Sequence, residues 1–143
     1  MVPEGVRSEA VIGEPTLSSV TGAVRGGQRL IQGDGSLLSY YESAMLERAF
    51  SMVGAFWHGL PFHYGEMTYE KPDLSGWTLL APLPETFCPS VRRTDSGVKV
   101  VYYAQKEFYG MALLQVTVDF VPGVYFPDTT IVEIATKPGF IVV

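Results

Sequence analysis

The chain has 143 residues, 47% of them hydrophobic, which is enough for one domain with a core of useful size and too few for two full domains. Ten Lys and Arg against 15 Asp and Glu give a formal charge of -5 with no block of like charge, so the basic stripe of a sequence-independent nucleic-acid binder is missing. The one cysteine, Cys88, has no second thiol for a disulfide or a zinc thiolate site, which excludes a disulfide-stapled fold.

The first residues, Met1 to Arg7, lack the basic region and apolar run of a signal peptide, so the expectation is a chain made and kept in a cytoplasm. Residues 1 to 36 hold 7 of the 15 glycines, and their apolar side chains are scattered singly or in pairs, so no helical period persists. They read as an extended Gly-rich N-terminal arm with one or two short strands, around Glu9 to Ile12 and Arg29 to Gln32. A disordered tail is the common fate of such a terminus. Ordering it costs roughly 1 to 2 kcal/mol per residue, so an ordered arm needs support, and a neighbouring subunit is the natural one.

From Gly35-Ser36 the pattern turns helical. Leu38, Tyr41, Met45, Ala49, Met52 and Phe56 fall at steps of three or four, opposite Ser39, Glu42, Ser43, Glu47, Arg48 and Ser51. Ser39 has capping-box spacing to Glu42, and Ser36 is an equally good cap. The helix is expected to end near Trp57, with Gly59 as terminator and Pro61 beyond. Leu37 to Trp57 has bilayer length, but Glu42, Glu47 and Arg48 lie near its middle, so no membrane span is expected. Tyr40, Leu46, Phe50 and Trp57 widen the apolar surface past one stripe, which points to burial on more than one side.

Five prolines between residues 59 and 90 confine regular structure there to a short strand near Trp77 to Ala81. Val91 to Arg93 and Val98 to Gln105 flank Thr94-Asp95-Ser96-Gly97, a hairpin turn. Leu114, Val116, Val118 and Phe120 alternate with Gln115, Thr117 and Asp119, as in a half-buried antiparallel strand. Thr130 to Thr136 and an apolar final strand, Phe140 to Val143, complete the set. An unpaired apolar strand would be an aggregating edge, so the last one must be paired or covered. The expected fold is α+β: mainly antiparallel β, a sandwich or small barrel, with one long helix packed on it, residues 37–143 forming the domain behind the arm of residues 1–36.

His58, His63 and Glu66 are the most site-like cluster, since imidazole and carboxylate are ligands for zinc or iron. Gly59 and Pro61 break any helix between the histidines, and with two histidines in the chain a three-His site is impossible. Packing or loop-capping is the plainer role. Cys88 beside Pro89 has either His as a conceivable catalytic partner but no surrounding signature, and a buried free thiol is the commoner case. Gly22 to Gly35 lacks both G-K-[ST] and G-x-G-x-x-G order, so Gly33-Asp34-Gly35 reads as a turn before a helix cap. Arg92-Arg93 reads as a solvated surface or an intersubunit salt link. Of Tyr102-Tyr103 and Phe108-Tyr109, one member of each pair should enter the core and leave the other for a surface.

No metal, cofactor-binding or catalytic residue is assigned on this basis. The arm, the broadly apolar helix and the unprotected last strand point to a non-enzymatic structural protein that contacts copies of itself or other subunits of a larger assembly. Capsid cement, connector and tail proteins of phage-type virions share that architecture. The competing expectation is a small β-barrel that binds a ligand or catalyses a reaction in an aromatic pocket, using His58, His63 or Glu66.

Overall fold

A computed structural model describes residues 32–53, 65–107 and 110–139. The expected strand at Glu9 to Ile12, the helix end at Trp57 to Gly59, Phe108-Tyr109 and the final strand Phe140 to Val143 lie outside the described residues, as does the expected strand at Arg29 to Gln32 except for Gln32, which is not in a strand.

Among the described residues there is one helix, α1, Leu37–Val53. Of the two candidate caps Ser36 is the one used: its Oγ accepts the Ser39 N–H at 3.1 Å, satisfying a donor of the first turn. Asp34 Oδ1 in turn accepts the Ser36 N–H at 2.8 Å, so the expected turn before the cap is present. Hydrogen bonding from the Ser36 side chain, and then from the Ser36 N–H, holds the exposed Asp34 carboxyl below its ordinary value of 3.8. A carboxyl lowered on folding stabilises above its unfolded value and loses that contribution as the pH falls through its folded one. Ser36→Ala is expected to lower stability by about 1 kcal/mol in urea melts at neutral pH. Acidification through the Asp34 titration should weaken the wild type more than Asp34→Asn.

The helix is turned differently from the expected stripe. Tyr40 and Ala44 are buried, with Leu37, Tyr41 and Met45 packed beside them, while Leu38, at the head of the expected stripe, is 62% exposed. Ser43 and Glu47, read as solvent-facing, are 2% and 9% exposed. The reason is Tyr125: it stacks on Tyr40 at 4.5 Å between ring centroids, and its carbonyl accepts the Ser43 hydroxyl at 2.9 Å, which makes a polar side chain tolerable inside.

Six strands follow: β1 Glu66–Thr68, β2 Thr78–Leu79, β3 Ser90–Thr94, β4 Gly97–Glu107, β5 Gly110–Phe120 and β6 Asp128–Pro138. They form one antiparallel sheet in the order β1-β4-β5-β6-β2, with β3 also on β4. The α+β, antiparallel expectation therefore holds, and among the described residues the strands make a single sheet with two edges. β3 lies opposite Gly97 to Val101 and β1 opposite Tyr103 to Gln105, so the two share one flank of β4 end to end, with β5 on the other. The expected turn Thr94 to Gly97 closes the β3–β4 hairpin.

β1 falls where no strand was expected. Three residues are too few for alternation to show in the sequence, and the pairing depends on a close backbone approach. A Cβ on Gly65, at φ 57, would stand 2.4 Å from the Gln105 carbonyl oxygen.

Both faces of the sheet are covered. On one, Val98, Val100, Tyr102, Leu114, Val116, Val118 and Phe120 meet α1 and Tyr125. On the other, Tyr103, Leu113, Ile134 and Ala135 meet Phe87, Leu74, Trp77, Ala81 and Leu83 from the Pro-rich connector. Tyr102 and Tyr103 are therefore both buried, against the expectation that one would remain for a surface, because the connector supplies a second apolar layer. A register shift between Leu113 and Leu114 lets Ile134 and Ala135 of β6 both be buried, as a bulge allows.

Candidate functional site

Of the residues singled out as site-like, Glu66 is exposed in β1, opposite Gln105 of β4. His58 and His63 lie outside the described residues, and among those described no cluster of His, Cys, Asp and Glu could hold a metal ion. Cys88 is exposed, not buried as a free cysteine usually is, because the connector turns outward there: Thr86 Oγ1 accepts its N–H at 3.2 Å and the thiol lies 3.8 Å from the Tyr69 carbonyl. Arg92 and Arg93 are exposed on β3, and Arg93 Nη2 donates to the Gly35 carbonyl at 2.8 Å, tying that strand to the start of α1.

Two hollows are open on the surface. One, of about 400 Å³, lies against the first turns of α1 and is lined by Asp34, Ser36, Leu38, Ser39, Glu42 and Tyr125, among others. Its hydroxyls are already engaged with one another: Ser39 Oγ lies 3.0 Å from the Tyr125 hydroxyl, which accepts the Gly35 N–H at 2.8 Å. The other, of about 340 Å³, is framed by Lys106, Glu133 and Lys137 near the β5 start, and Lys137 Nζ donates to the Ser75 carbonyl.

The apolar surface left open is more distinctive than either hollow. Leu38, Leu46 and Phe50 face outward from α1. On the sheet, Leu79 and Leu80 at β2, Ile131 and Val132 in β6, and Val121 and Val124 in the loop that enters β6 are all exposed. Ile131 and Val132 lie on opposite faces of β6, on the stretch that β2 leaves unpaired. β2 pairs with β6 at Ala135 and Thr136 alone, and the N–H groups of Leu80 and Ala81 add bonds to the Ile134 carbonyl. From Asp128 to Glu133, no strand of the described residues lies on the outer flank of β6.

The other edges are blunted. β3 presents Arg92 and Arg93, β1 is three residues long and β2 two. Charge and shortness are the usual means by which a sheet discourages pairing with a foreign strand. The β6 stretch, Thr129-Thr130-Ile131-Val132, has β-branched side chains and no charge, so it is the edge on which such pairing is least opposed.

Sequence reasoning missed this surface because it placed the unprotected strand at the chain end. The alternation rule treats every apolar position of a strand as inward, and in β6 the inward ones are Ile134 and Ala135. Among the described residues no helix is long and apolar enough to cross a membrane. No protein-family model, curated protein or solved structure matches the chain.

Proposed function

We propose that this protein is a non-enzymatic structural subunit that works by contacts with copies of itself and with other subunits of a larger assembly. A phage-type capsid cement, connector or tail protein is the class in view. The observation that carries the reading is the set of exposed apolar side chains, Leu38, Leu46 and Phe50 on α1 and Leu79, Leu80, Val121, Val124, Ile131 and Val132 on the sheet and its loops, together with an outer flank of β6 that no strand of the described residues occupies from Asp128 to Glu133. Exposed apolar side chains beside unpaired backbone groups favour uptake by a partner.

Light scattering on a sizing column tests the proposal with the full chain. The expected mass is a multiple of 15.7 kDa that falls on dilution. A stable 15.7 kDa monomer whose residues 1–36 resist protease overturns it.

A further inference from the structure

We infer that residues 24–31 of this chain lie extended along the flank of α1 that carries Leu38, Glu42 and Leu46, filling the hollow beside its first turns from within the same molecule. Three observations name that segment as the occupant.

The first is where the chain enters. Gln32 and Gly33, the first described residues, line the hollow together with Leu46, well along α1 from the Ser36 cap. Gly33 lies against the Tyr125 ring, and the Gly35 N–H donates to its hydroxyl. The chain therefore arrives beside the helix and not beyond its end, which sets the residues before Gln32 at the mouth of the hollow.

The second is charge. The described lining carries Asp34 and Glu42 and no Lys or Arg. Residues 24–31 hold Arg25 and Arg29 and no acid, whereas residues 1–23 hold Glu4, Glu9 and Glu14 against Arg7, and 54–64 and 140–143 hold no Lys, Arg, Asp or Glu. Of the chain outside the described residues, only this stretch is basic. Opposite charges across a contact fix its register and disfavour the alternatives.

The third is spacing. Two residues of extended chain advance about 6.6 Å, and one i, i+4 step of a helix about 6.0 Å. Taken back along α1 from the turn before the cap, Ile31 comes beside Leu38, 62% exposed, Arg29 beside Glu42, and Gly27 beside Leu46, 37% exposed. Alternate residues of an extended segment share one side. Ile31 then covers Leu38, the Arg29 guanidinium meets the Glu42 carboxylate, and Gly27 leaves room for the Leu46 side chain.

The inference is separate from the assembly reading. It takes Leu38 and Leu46 out of the surface offered to partners and leaves Phe50 and the apolar side chains of the sheet and its loops.

The test uses the full chain. With Cys88→Ser, because that thiol is exposed, Gly27→Cys combined with Leu46→Cys should close an intrachain disulfide under mild oxidant, and Gly27→Cys combined with Asp95→Cys, in the β3–β4 turn, should not. In a second arm, Arg29→Glu should speed tryptic cutting after Arg25 about twofold to fivefold, the measure of an exposed ion pair, and adding Glu42→Arg should reverse the gain. No disulfide between positions 27 and 46, with equal cutting of wild type and Arg29→Glu, overturns the inference. A covalent dimer from the same cysteine pair also overturns it, because the segment then sits on a second copy. The cysteine pair decides where a charged variant fails to fold by circular dichroism. Light scattering scores the assembly reading apart from this: a multimer without the 27–46 disulfide leaves that reading standing, and a monomer that forms it supports the docked segment and not the assembly.

Discussion

Tyr125→Ala is expected to lower the unfolding free energy by about 3 to 5 kcal/mol, the range for removing a large buried aromatic side chain. The residue is 5% exposed and belongs to the loop between β5 and β6, yet most of its partners are on the far side of the core. Its ring stacks on Tyr40, its hydroxyl accepts the Gly35 N–H, and its carbonyl accepts the Ser43 hydroxyl. Tyr40 answers in kind, since its hydroxyl accepts the Gly123 N–H at 2.8 Å. The segment before α1 lies flat against the same ring: a Cβ on Gly33 would sit 2.3 Å from Tyr125 Cζ. Truncation thus removes the ring that holds loop, helix and entering chain together. Tyr125→Phe keeps the stack and loses the hydroxyl, so about 1 kcal/mol is expected of it. Urea denaturation of both variants separates the two contributions, and a loss below about 1 kcal/mol for Tyr125→Ala would show that the loop is held by other contacts.

Gly97→Ala is the second large effect, at about 3 kcal/mol or more. Gly97 opens β4 at φ 150, a backbone region that is costly for any residue with a side chain. Space is also closed: the added Cβ would fall 1.9 Å from the Phe120 carbonyl oxygen and 3.3 Å from Pro122 Cδ. The backbone of β5 is the obstacle, so no side-chain rotation relieves it, and the β3–β4 hairpin must shift against the end of β5. Ser96→Ala, one residue earlier on the exposed turn, should stay within about 0.5 kcal/mol of wild type. Thermal melts of the two variants check the contrast, and a shift for Gly97→Ala no larger than that for Ser96→Ala would refute the steric account.

The parts legible in the sequence are those whose pattern comes from a single neighbour. Leu114, Val116, Val118 and Phe120 alternate because one sheet face meets one core, and the turn at Asp95-Ser96 is marked by its own residues. What was not legible depends on partners distant in the chain. Ser43 faces inward because the Tyr125 carbonyl is there to accept its hydroxyl, and hydropathy carries no trace of that bond. Tyr103 is buried because Trp77, Leu83 and Phe87 lie over it, from a connector whose prolines hide any period. β1 exists because Gly65 admits the Gln105 carbonyl. The candidate surface was not legible: the unprotected strand expected at Phe140 to Val143 lies outside the described residues, and the open flank among them belongs to β6. Its position followed from the length of β2, two residues, which no propensity sets.

The end-to-end placement of β1 and β3 along β4 also bears on how the chain reaches this arrangement. β3, β4, β5 and β6 follow one another and each pairs with the next, so four strands close from contacts between neighbours in sequence. β1 and β2 precede them and reach β4 and β6 only across the connector and the strands between. Closing those longer loops costs entropy before their few ladder bonds form. The four-strand meander is therefore expected to form first, with β1 and β2, the two shortest strands, closing onto it last.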